Sequence, residues 1–287
     1  MKHLIALGQI DPALGDLKKN ISKHLDVVKR AKEGGADLVI FPELSLTGYS
    51  IKDMNWDLAI SAGHSSILDA LKKESDEISI LVGGIEESSS FGIHNAAFMI
   101  EKGSVKCVHR KIYPPTYGMF EETRYFSPGK TVRAFESRLG KIGVIICEDL
   151  WHVTLPYLLA LQGAWAIIGI ASSPTRLSPG ETDLKIARIN AEHYKAYARL
   201  LSTYVIYCNR VGYEDGVNFW GGSLVAGPDG EIVVQAKQLD EDLVFAEIDT
   251  NEVRRARRFS RHFLDEDPAL VQRELRRIAK ERDEFNS

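Results

Sequence analysis

The chain has 287 residues, of which 44% are hydrophobic and 26% are charged, as is typical of a globular protein with one large domain or two ordinary ones. Its formal net charge of −4 provides no general attraction to nucleic acid or to an anionic membrane. No apolar run approaches the ~18 residues that a membrane span needs. The first apolar stretch runs directly into Asp11 and Pro12 without a small-residue cleavage site, which predicts a strand and no signal peptide.

The cysteines give a further constraint. Cys107, Cys147 and Cys208 are odd in number and show no C-x-x-C spacing, so neither a disulfide framework nor a zinc site is indicated. Unpaired cysteines are typical of a reducing compartment, and we expect a cytoplasmic protein.

Strand-like and helix-like segments alternate along the chain. Hydrophobic patterns predict strands over 3–10, 37–41, 78–82, 94–100, 104–110, 142–146, 164–171, 204–209, 224–226, 231–235 and 243–248. Helices are predicted over 16–34, 55–73, 154–162 and 183–202. Because hairpins are mixed with β-helix-β units, we predict an α/β fold of mixed sheets with helices outside, and two packed sheets are one of several possible arrangements.

The chain shows no repeat, low-complexity segment or flexible linker, so residues 1–250 are predicted to form one domain. Residues 251–287 are highly charged, and their basic residues are interleaved with acidic ones. This pattern predicts a helical C-terminal extension that faces solvent or a partner, and it disfavours a nucleic-acid surface.

Three reactive side chains follow predicted strands. Glu43 comes after F-P, Lys111 comes after the strand over 104–110, and Cys147 comes after G-V-I-I. Strand ends that lead into loops are where α/β folds place catalytic groups. Each residue also has an ordinary interpretation, since a glutamate in a turn, a solvated lysine and a cysteine in a core are all common.

These three residue types together suit acyl transfer. A thiol can attack a carbonyl or nitrile carbon, and a carboxylate can take its proton and return it to the leaving amine. An ammonium group and a backbone N–H can stabilise the resulting oxyanion. This chemistry requires no metal and no other cofactor.

The motifs F-P-E-L-S-L-T-G-Y, H-R-K-I-Y-P and G-V-I-I-C-E-D-L-W resemble those of the nitrilase, or carbon–nitrogen hydrolase, superfamily. The resemblance implies a Glu43–Lys111–Cys147 triad, and it implies that Glu122 in F-E-E-T-R-Y helps to position the lysine and the substrate. It further implies a four-layer α-β-β-α sandwich that dimerises into an α-β-β-α-α-β-β-α assembly, with the extension over 251–287 at the interface between copies.

The sequence C-E-D-x-W is similar to that of one branch, the glutaminase domain of glutamine-dependent NAD synthetase. This similarity implies a substrate pocket formed by Tyr49, Tyr117, Phe120, Glu148 and Ser173. Tyr117 and Phe120 could instead anchor a loop, and Ser173 could be a simple turn residue. Asp149 is predicted to anchor the turn into Trp151.

The chain departs from that branch in two respects. A basic residue that could bind a substrate carboxylate is missing from its usual place after S-S-P, and Arg176 or Lys185 is a possible replacement. The 287 residues also contain no S-G-G-x-D pyrophosphatase loop, so we expect no NAD synthesis from this chain alone.

The leading prediction is therefore hydrolysis of a small linear amide through a cysteine thioester, with release of ammonia. Hydrolysis of an N-carbamoyl amine or a nitrile is an alternative, although Glu148 and Asp149 replace the Trp-Glu that usually follows the nucleophile of nitrilases. A second alternative is a binding or ammonia-supplying subunit that works with a separate synthetase. The expected partners are a small-molecule amide and a second copy of the chain, without nucleic acid or membrane.

Overall fold

The fold consists of two six-stranded sheets that pack face to face. The computed structural model describes residues 1–63, 65–175 and 184–285, with side chains as far as residue 282. The strands are β1 (Lys2–Gln9), β2 (Leu38–Ile40), β3 (Ser79–Glu87), β4 (Ile93–Glu101), β5 (Ser104–Arg110), β6 (Phe135–Ser137), β7 (Gly140–Ile146), β8 (Ala166–Ala171), β9 (Pro174–Thr175), β10 (Tyr204–Asn209), β11 (Val211–Glu214), β12 (Val217–Trp220), β13 (Leu224–Ala226), β14 (Ile232–Gln235) and β15 (Asp242–Asp249).

Helices lie between and after these strands. They are α1 (Leu17–Glu33), α2 (Asn55–Leu58), α3 (Ser66–Glu74), α4 (Glu122–Tyr125), α5 (Thr154–Leu161), α6 (Lys185–Leu201), α7 (Thr250–Phe259) and α8 (Pro268–Phe285), with short 3₁₀ helices at Lys52–Met54, Cys147–Trp151 and Arg261–Phe263. None of the helices in the described part of the chain combines the length and the apolar character that crossing a membrane requires.

Both large sheets are mixed. The first has the order β15-β1-β2-β3-β4-β5, in which β1, β2 and β3 are parallel neighbours. The second has the order β14-β13-β10-β8-β7-β6, in which β10, β8 and β7 are parallel neighbours. A small third sheet, β11-β12-β9, lies beside them. The carboxyl ends of β2 and β7, which precede Glu43 and Cys147, are thus held inside larger sheets.

The order of layers follows from which faces are buried. The facing sides of the two sheets share one apolar core, to which β2 contributes Ile40 and β7 contributes Val144 and Ile146. A second core packs α1 and α3 on the outer side of the first sheet, and a third packs α5 and α6 on the outer side of the second. The predicted α/β fold of two mixed sheets in an α-β-β-α sandwich is confirmed.

One predicted helix is wrong. The pattern over 55–73 suggested a continuous helix, but α2 ends at Leu58, where Ala59 turns to an extended conformation and Ile60 pairs with Glu86 of β3. The chain becomes helical again at Ser66, after Ser65 caps the new helix by accepting a hydrogen bond from the backbone N–H of Leu68. The break lets Ile60 enter the core, which propensity alone could not reveal.

Several short elements were missed. The strands β6, β9, β11 and β12 have two to four residues each, too short for a clear period. The predicted start of α6 at 183 lies outside the described residues. At the other end of the chain, Val253 of α7 is buried in the core between the sheets and Phe263 packs beside α6.

Candidate active site

Glu43 is held in a buried turn directly after β2. Gly83 of β3 makes this possible, because a Cβ at that position would lie 2.4 Å from the carbonyl oxygen of Pro42 and 2.5 Å from the amide nitrogen of Leu44. Ser172, which follows β8 of the second sheet, holds this turn through two hydrogen bonds. Its backbone N–H donates to Oε2 of Glu43 at 2.7 Å, and its hydroxyl donates to the carbonyl oxygen of Glu43 at 2.9 Å.

Lys111 lies between two buried carboxylates. Its Nζ is 2.8 Å from Oε1 of Glu43 and 2.6 Å from Oε1 of Glu122, and only 1% of the side chain is exposed. Asn95 of β4 donates from Nδ2 to Glu43 at 2.7 Å and to Glu122 at 3.4 Å, and Tyr49 donates its hydroxyl to Glu122 at 2.6 Å. Each charge is paired and hydrogen-bonded, which is what burial of charge requires.

The electrostatics of this cluster favour a permanently charged lysine. Burial alone would lower the pKa of Lys111, but the negative charges of Glu122 and Glu43 outweigh burial and raise this pKa well above its usual value. Burial raises the pKa of Glu122, although Lys111 opposes the increase. Burial and the Glu122 charge also raise the pKa of Tyr49, so its hydroxyl stays protonated and can donate.

Cys147 lies where β7 ends and a 3₁₀ helix begins. Its φ of +48° is unusual for a residue with a side chain, and such strained conformations are concentrated at functional sites. Burial and the negative charge of Glu43 raise the pKa of its thiol well above the usual value, against the effect of Lys111. The resting group is therefore a thiol, and a nucleophilic attack needs a base to take its proton.

Asp149 connects the cysteine turn to the lysine loop. The fully buried carboxylate accepts from the backbone N–H of Ile146 at 3.1 Å and from those of Ile112 and Tyr113 at 3.1 and 3.0 Å. His109 of β5 makes a fourth contact through Nε2 at 3.2 Å. Asp149 thus anchors its own turn, as the sequence suggested, and it also fixes the backbone just after Lys111.

Aromatic side chains stand beside these groups. The Phe120 ring meets Tyr49 at 6.3 Å and Tyr117 at 5.5 Å between centroids, both edge-on. Tyr117, which is 57% exposed, donates its hydroxyl to Oε2 of Glu148 at 2.7 Å. A cavity of about 260 Å³ adjoins Tyr49 and Glu122. These contacts connect four of the predicted pocket residues, namely Tyr49, Phe120, Tyr117 and Glu148, and of these four only Tyr49 lines the cavity.

Residues 4–258 match the carbon-nitrogen hydrolase family. The chain belongs to this family. It is 32% identical over 257 residues to a glutamine-dependent NAD(+) synthetase of Thermotoga maritima, and the match covers 88% of this chain and 43% of the synthetase. The chain thus spans less than half the length of that relative.

Solved structures agree with this assignment. A carbon-nitrogen hydrolase from Helicobacter pylori superposes with a TM-score of 0.84 and 25% identity over 96% of this chain and 99% of the other. A glutamine-dependent NAD+ synthetase from Acinetobacter baumannii gives a TM-score of 0.80 and 30% identity over 88% of this chain and 47% of the other. The predicted resemblance to the nitrilase superfamily is confirmed.

Ser173 of this carbon-nitrogen hydrolase, another predicted pocket residue, lies beside the small third sheet. Ser173 donates its backbone N–H to Oδ1 of Asn209 at 2.8 Å, and its hydroxyl accepts from Nε1 of Trp220 at 3.2 Å. Its side chain is therefore tied to the small sheet. Arg176 lies outside the described residues, and its role stays a prediction.

Sequence patterns did not reveal the carbon-nitrogen hydrolase residues that hold the cluster together. Asn95 is a polar residue in the otherwise apolar run of β4, and asparagine is uncommon in strands, so it carried a usable signal. Ser172 carried none, because a serine before a turn is ordinary. Among the described residues, no group of three or more His, Cys, Asp or Glu side chains is arranged to hold a metal ion.

Proposed function

We propose that this carbon-nitrogen hydrolase cleaves a small linear amide and releases ammonia, with Cys147 as nucleophile. The observation that carries the proposal is the Lys111 ammonium between two buried carboxylates, close enough to the thiol to alter its pKa. A buried thiol, a base and a fixed positive charge are the three parts that acyl transfer needs.

In the proposed first step, Sγ of Cys147 attacks the amide carbon while its proton passes to Glu43. The negative charge that develops on the carbonyl oxygen is stabilised by Nζ of Lys111 and by the backbone N–H of Glu148. Because the pKa of Lys111 is raised well above its usual value, the lysine remains an ammonium throughout. Oxyanion donors of this kind each contribute about 3–4 kcal/mol to lowering the barrier.

In the second step, the C–N bond breaks and Glu43 returns the proton to the leaving nitrogen, so that ammonia departs and a thioester remains on Cys147. Water then attacks the thioester, and Glu43 takes its proton. Collapse of that intermediate releases the carboxylic acid and restores the thiol. Glu122 holds Lys111 through a second contact to Nζ, at 2.6 Å.

Supply of ammonia to a separate synthetase is a second candidate function. It is favoured by the match to relatives named glutamine-dependent NAD(+) synthetase, of which this chain spans 43–46% in the first three. Glutamine is therefore the first amide to test, both alone and with a synthetase partner.

The experiment is a panel of linear amides, including glutamine, with N-carbamoyl amines and nitriles, read out by release of ammonia. The full chain is compared with Cys147→Ala and with the matched control Cys107→Ala, since Cys107 lies on β5 outside the cluster. We expect amide-dependent ammonia release in the wild type and the control, and none above background in Cys147→Ala. Mass spectrometry of quenched reactions should find the acyl group on Cys147.

The proposal fails if no compound releases ammonia with or without a synthetase, or if Cys147→Ala remains active. Ammonia release only from carbamoyl compounds or nitriles would move the assignment to those substrates. Ammonia from glutamine only when a synthetase is present would support the supply function.

We also propose that a second copy of the chain covers the C-terminal extension. Phe259 at the end of α7 is 94% exposed, and Leu275 of α8 is 60% exposed, so each of these helices presents a large apolar side chain to solvent. Light scattering of the full chain tests this, with Phe259→Ser and Leu275→Ser expected to shift a dimer toward monomer. A wild-type chain that is monomeric at high concentration contradicts it.

A further inference from the structure

Arg210 is a buried charge that the proposed chemistry does not use. It follows β10 directly, and its side chain has no exposed surface. Its Nη1 donates to Oε2 of Glu214 at 2.6 Å, and its Nη2 donates to Oδ1 of Asp11 at 3.2 Å. An arginine buried so completely is costly unless it is paired, so its surroundings must be well ordered.

Glu214 connects Arg210 to the loop that follows Glu43. While Oε2 binds Arg210, Oε1 accepts the backbone N–H groups of Tyr49 at 2.8 Å and Ser50 at 2.6 Å. The preceding residue, Gly48, has a φ of +83°, and a Cβ there would lie 2.8 Å from Oε2 of Glu214. The carboxylate therefore fixes the backbone of Tyr49 from a hairpin that lies 165 residues further along the chain.

Tyr49 in turn contacts the catalytic cluster. Its hydroxyl donates to Oε1 of Glu122, the same oxygen that lies 2.6 Å from Nζ of Lys111. Arg210 also reaches the Tyr49 ring by a second chain of contacts, through Phe219. The centroid of the Phe219 ring lies 4.3 Å from Cζ of Arg210 and 6.0 Å from the centroid of the Tyr49 ring. Both routes begin at Arg210 and end at Tyr49.

We propose that Arg210 and Glu214 are positioning residues that set the place of Tyr49 and, through its hydroxyl, the geometry of Glu122 and Lys111. This inference rests on the proposed function for its catalytic consequence. The competing explanation is that the pair only anchors the β11–β12 hairpin against β1. The two explanations differ in whether the effect of Arg210 passes through Tyr49.

A double-mutant cycle tests this point with Arg210→Met, Tyr49→Phe and the double variant. We expect each single change to lower kcat/KM for the amide substrate about tenfold or more, mainly through kcat, since small misplacements of catalytic groups cost this much. The double variant should be no more than about threefold worse than the worse single variant, because the same contact is lost only once.

Asp11→Asn is the matched control. This substitution removes the ion pair between Arg210 and Asp11 and keeps the one between Arg210 and Glu214. The Asp11 side chain is 44% exposed and does not contact Tyr49. We expect kcat/KM within about twofold of the wild type for this variant, since it leaves the route to Tyr49 intact. If Arg210→Met does not fold, Glu214→Gln replaces it in the cycle, because it removes the charge at nearly constant size.

The rate at which iodoacetamide alkylates Cys147, mapped by mass spectrometry, is measured for the same variants. This readout does not need turnover, so it decides the positioning question even if no amide is hydrolysed and the proposed function fails. Non-additive effects on the alkylation rate support the inference. Independent, multiplying effects of the two substitutions, or an Arg210 variant within twofold of wild type in both measurements, overturn it.

Discussion

Glu43 and Lys111 are 68 residues apart in the chain, and in the folded protein their charged groups are 2.8 Å apart. β3 and β4 lie between β2 and β5 in the first sheet, so the contact is made across them. The Glu43 turn packs on Gly83 of β3, and the backbone N–H of Lys111 donates to the carbonyl oxygen of Asn95 of β4. Ser172 holds Glu43 from the second sheet. Since Glu122 shares the same ammonium, Lys111 is the charge that allows two carboxylates to be buried side by side.

Replacing Lys111 by methionine should therefore reduce both activity and stability. Two buried carboxylates would then lie together without a counter-charge, which we expect to lower the free energy of unfolding by about 3–5 kcal/mol at pH 8. Burial already raises the pKa of Glu122, and loss of the opposing Lys111 charge would raise it further, so the folded protein would bind a proton at Glu122 more tightly than the unfolded chain. Stability should then fall as pH rises above the ordinary carboxyl pKa of 4.5.

Urea unfolding at pH 5 and pH 8 measures this effect. Lys72→Met is the control, because it breaks an i,i+3 pair with the largely exposed Asp69 and should cost less than about 1 kcal/mol. A Lys111→Met protein that is equally stable at both pH values would show that the two carboxylates are not coupled through the lysine.

Asp149→Asn should slow turnover as well as destabilise the fold. Asparagine keeps one acceptor oxygen but turns an NH₂ group toward N–H donors, leaving at least one buried donor unsatisfied at a cost of about 1–3 kcal/mol. Because Asp149 joins the backbone on both sides of the site, we expect kcat per folded molecule to fall about tenfold or more.

The kcat of Asp149→Asn is measured well below its melting temperature and is normalised to the concentration of active sites. Asp37→Asn, an exposed carboxylate that accepts from the backbone N–H of Leu4, serves as the control and should keep its kcat. A destabilised Asp149→Asn protein with wild-type kcat would limit Asp149 to a structural role.

Glu148→Gln should weaken binding of substrates that carry an ammonium group. The Glu148 side chain is 15% exposed and is oriented by the Tyr117 hydroxyl at 2.7 Å, so its charge can reach a bound molecule. A hydrogen bond to a charged group is worth about 1.5–3 kcal/mol, which predicts a KM increase of roughly 10- to 100-fold. A neutral amide of similar size should show little change, and equal effects on both substrates would argue against recognition of an ammonium.

His24 should make stability depend on pH. It is fully buried in α1, with Nδ1 bonded to the carbonyl oxygen of Asn20 and Nε2 to the Ser45 hydroxyl, and burial lowers its pKa from 6.5 to about 4. Between these values the unfolded chain binds the proton and the folded protein does not, so stability falls as pH drops from 6.5 toward 4.

The expected loss from this one group between pH 7 and pH 4 is roughly 2–3 kcal/mol. It is measured as the difference in urea unfolding between the wild type and His24→Leu at both pH values, which removes the contribution of other titrating groups. If the variant loses stability as steeply as the wild type over this range, His24 does not carry the effect.

Much of the fold could be read from local patterns. The strand at 204–209 was predicted with the bounds that the structure has. Its run of β-branched and aromatic residues is short and lies between a predicted helix and a loop, which is typical of a buried strand. The helix over 55–73 was wrong, since the pattern could not show that Ile60 leaves the helix to pair with β3. Short strands such as β11 are too short to show a hydrophobic period, and they form because they pair with a neighbouring strand.

The sequence by itself determined which residues are predicted to carry the proposed chemistry, because Glu43, Lys111 and Cys147 each follow a strand within a motif that resembles those of the nitrilase superfamily. Only the tertiary structure decided how they are held. Asn95, Ser172, Asp149 and Glu214 each make at least one hydrogen bond to a residue 36 to 165 positions away in the chain. Contacts of that kind are set by the spacing and packing of the two sheets, and no local spacing in the sequence encodes them.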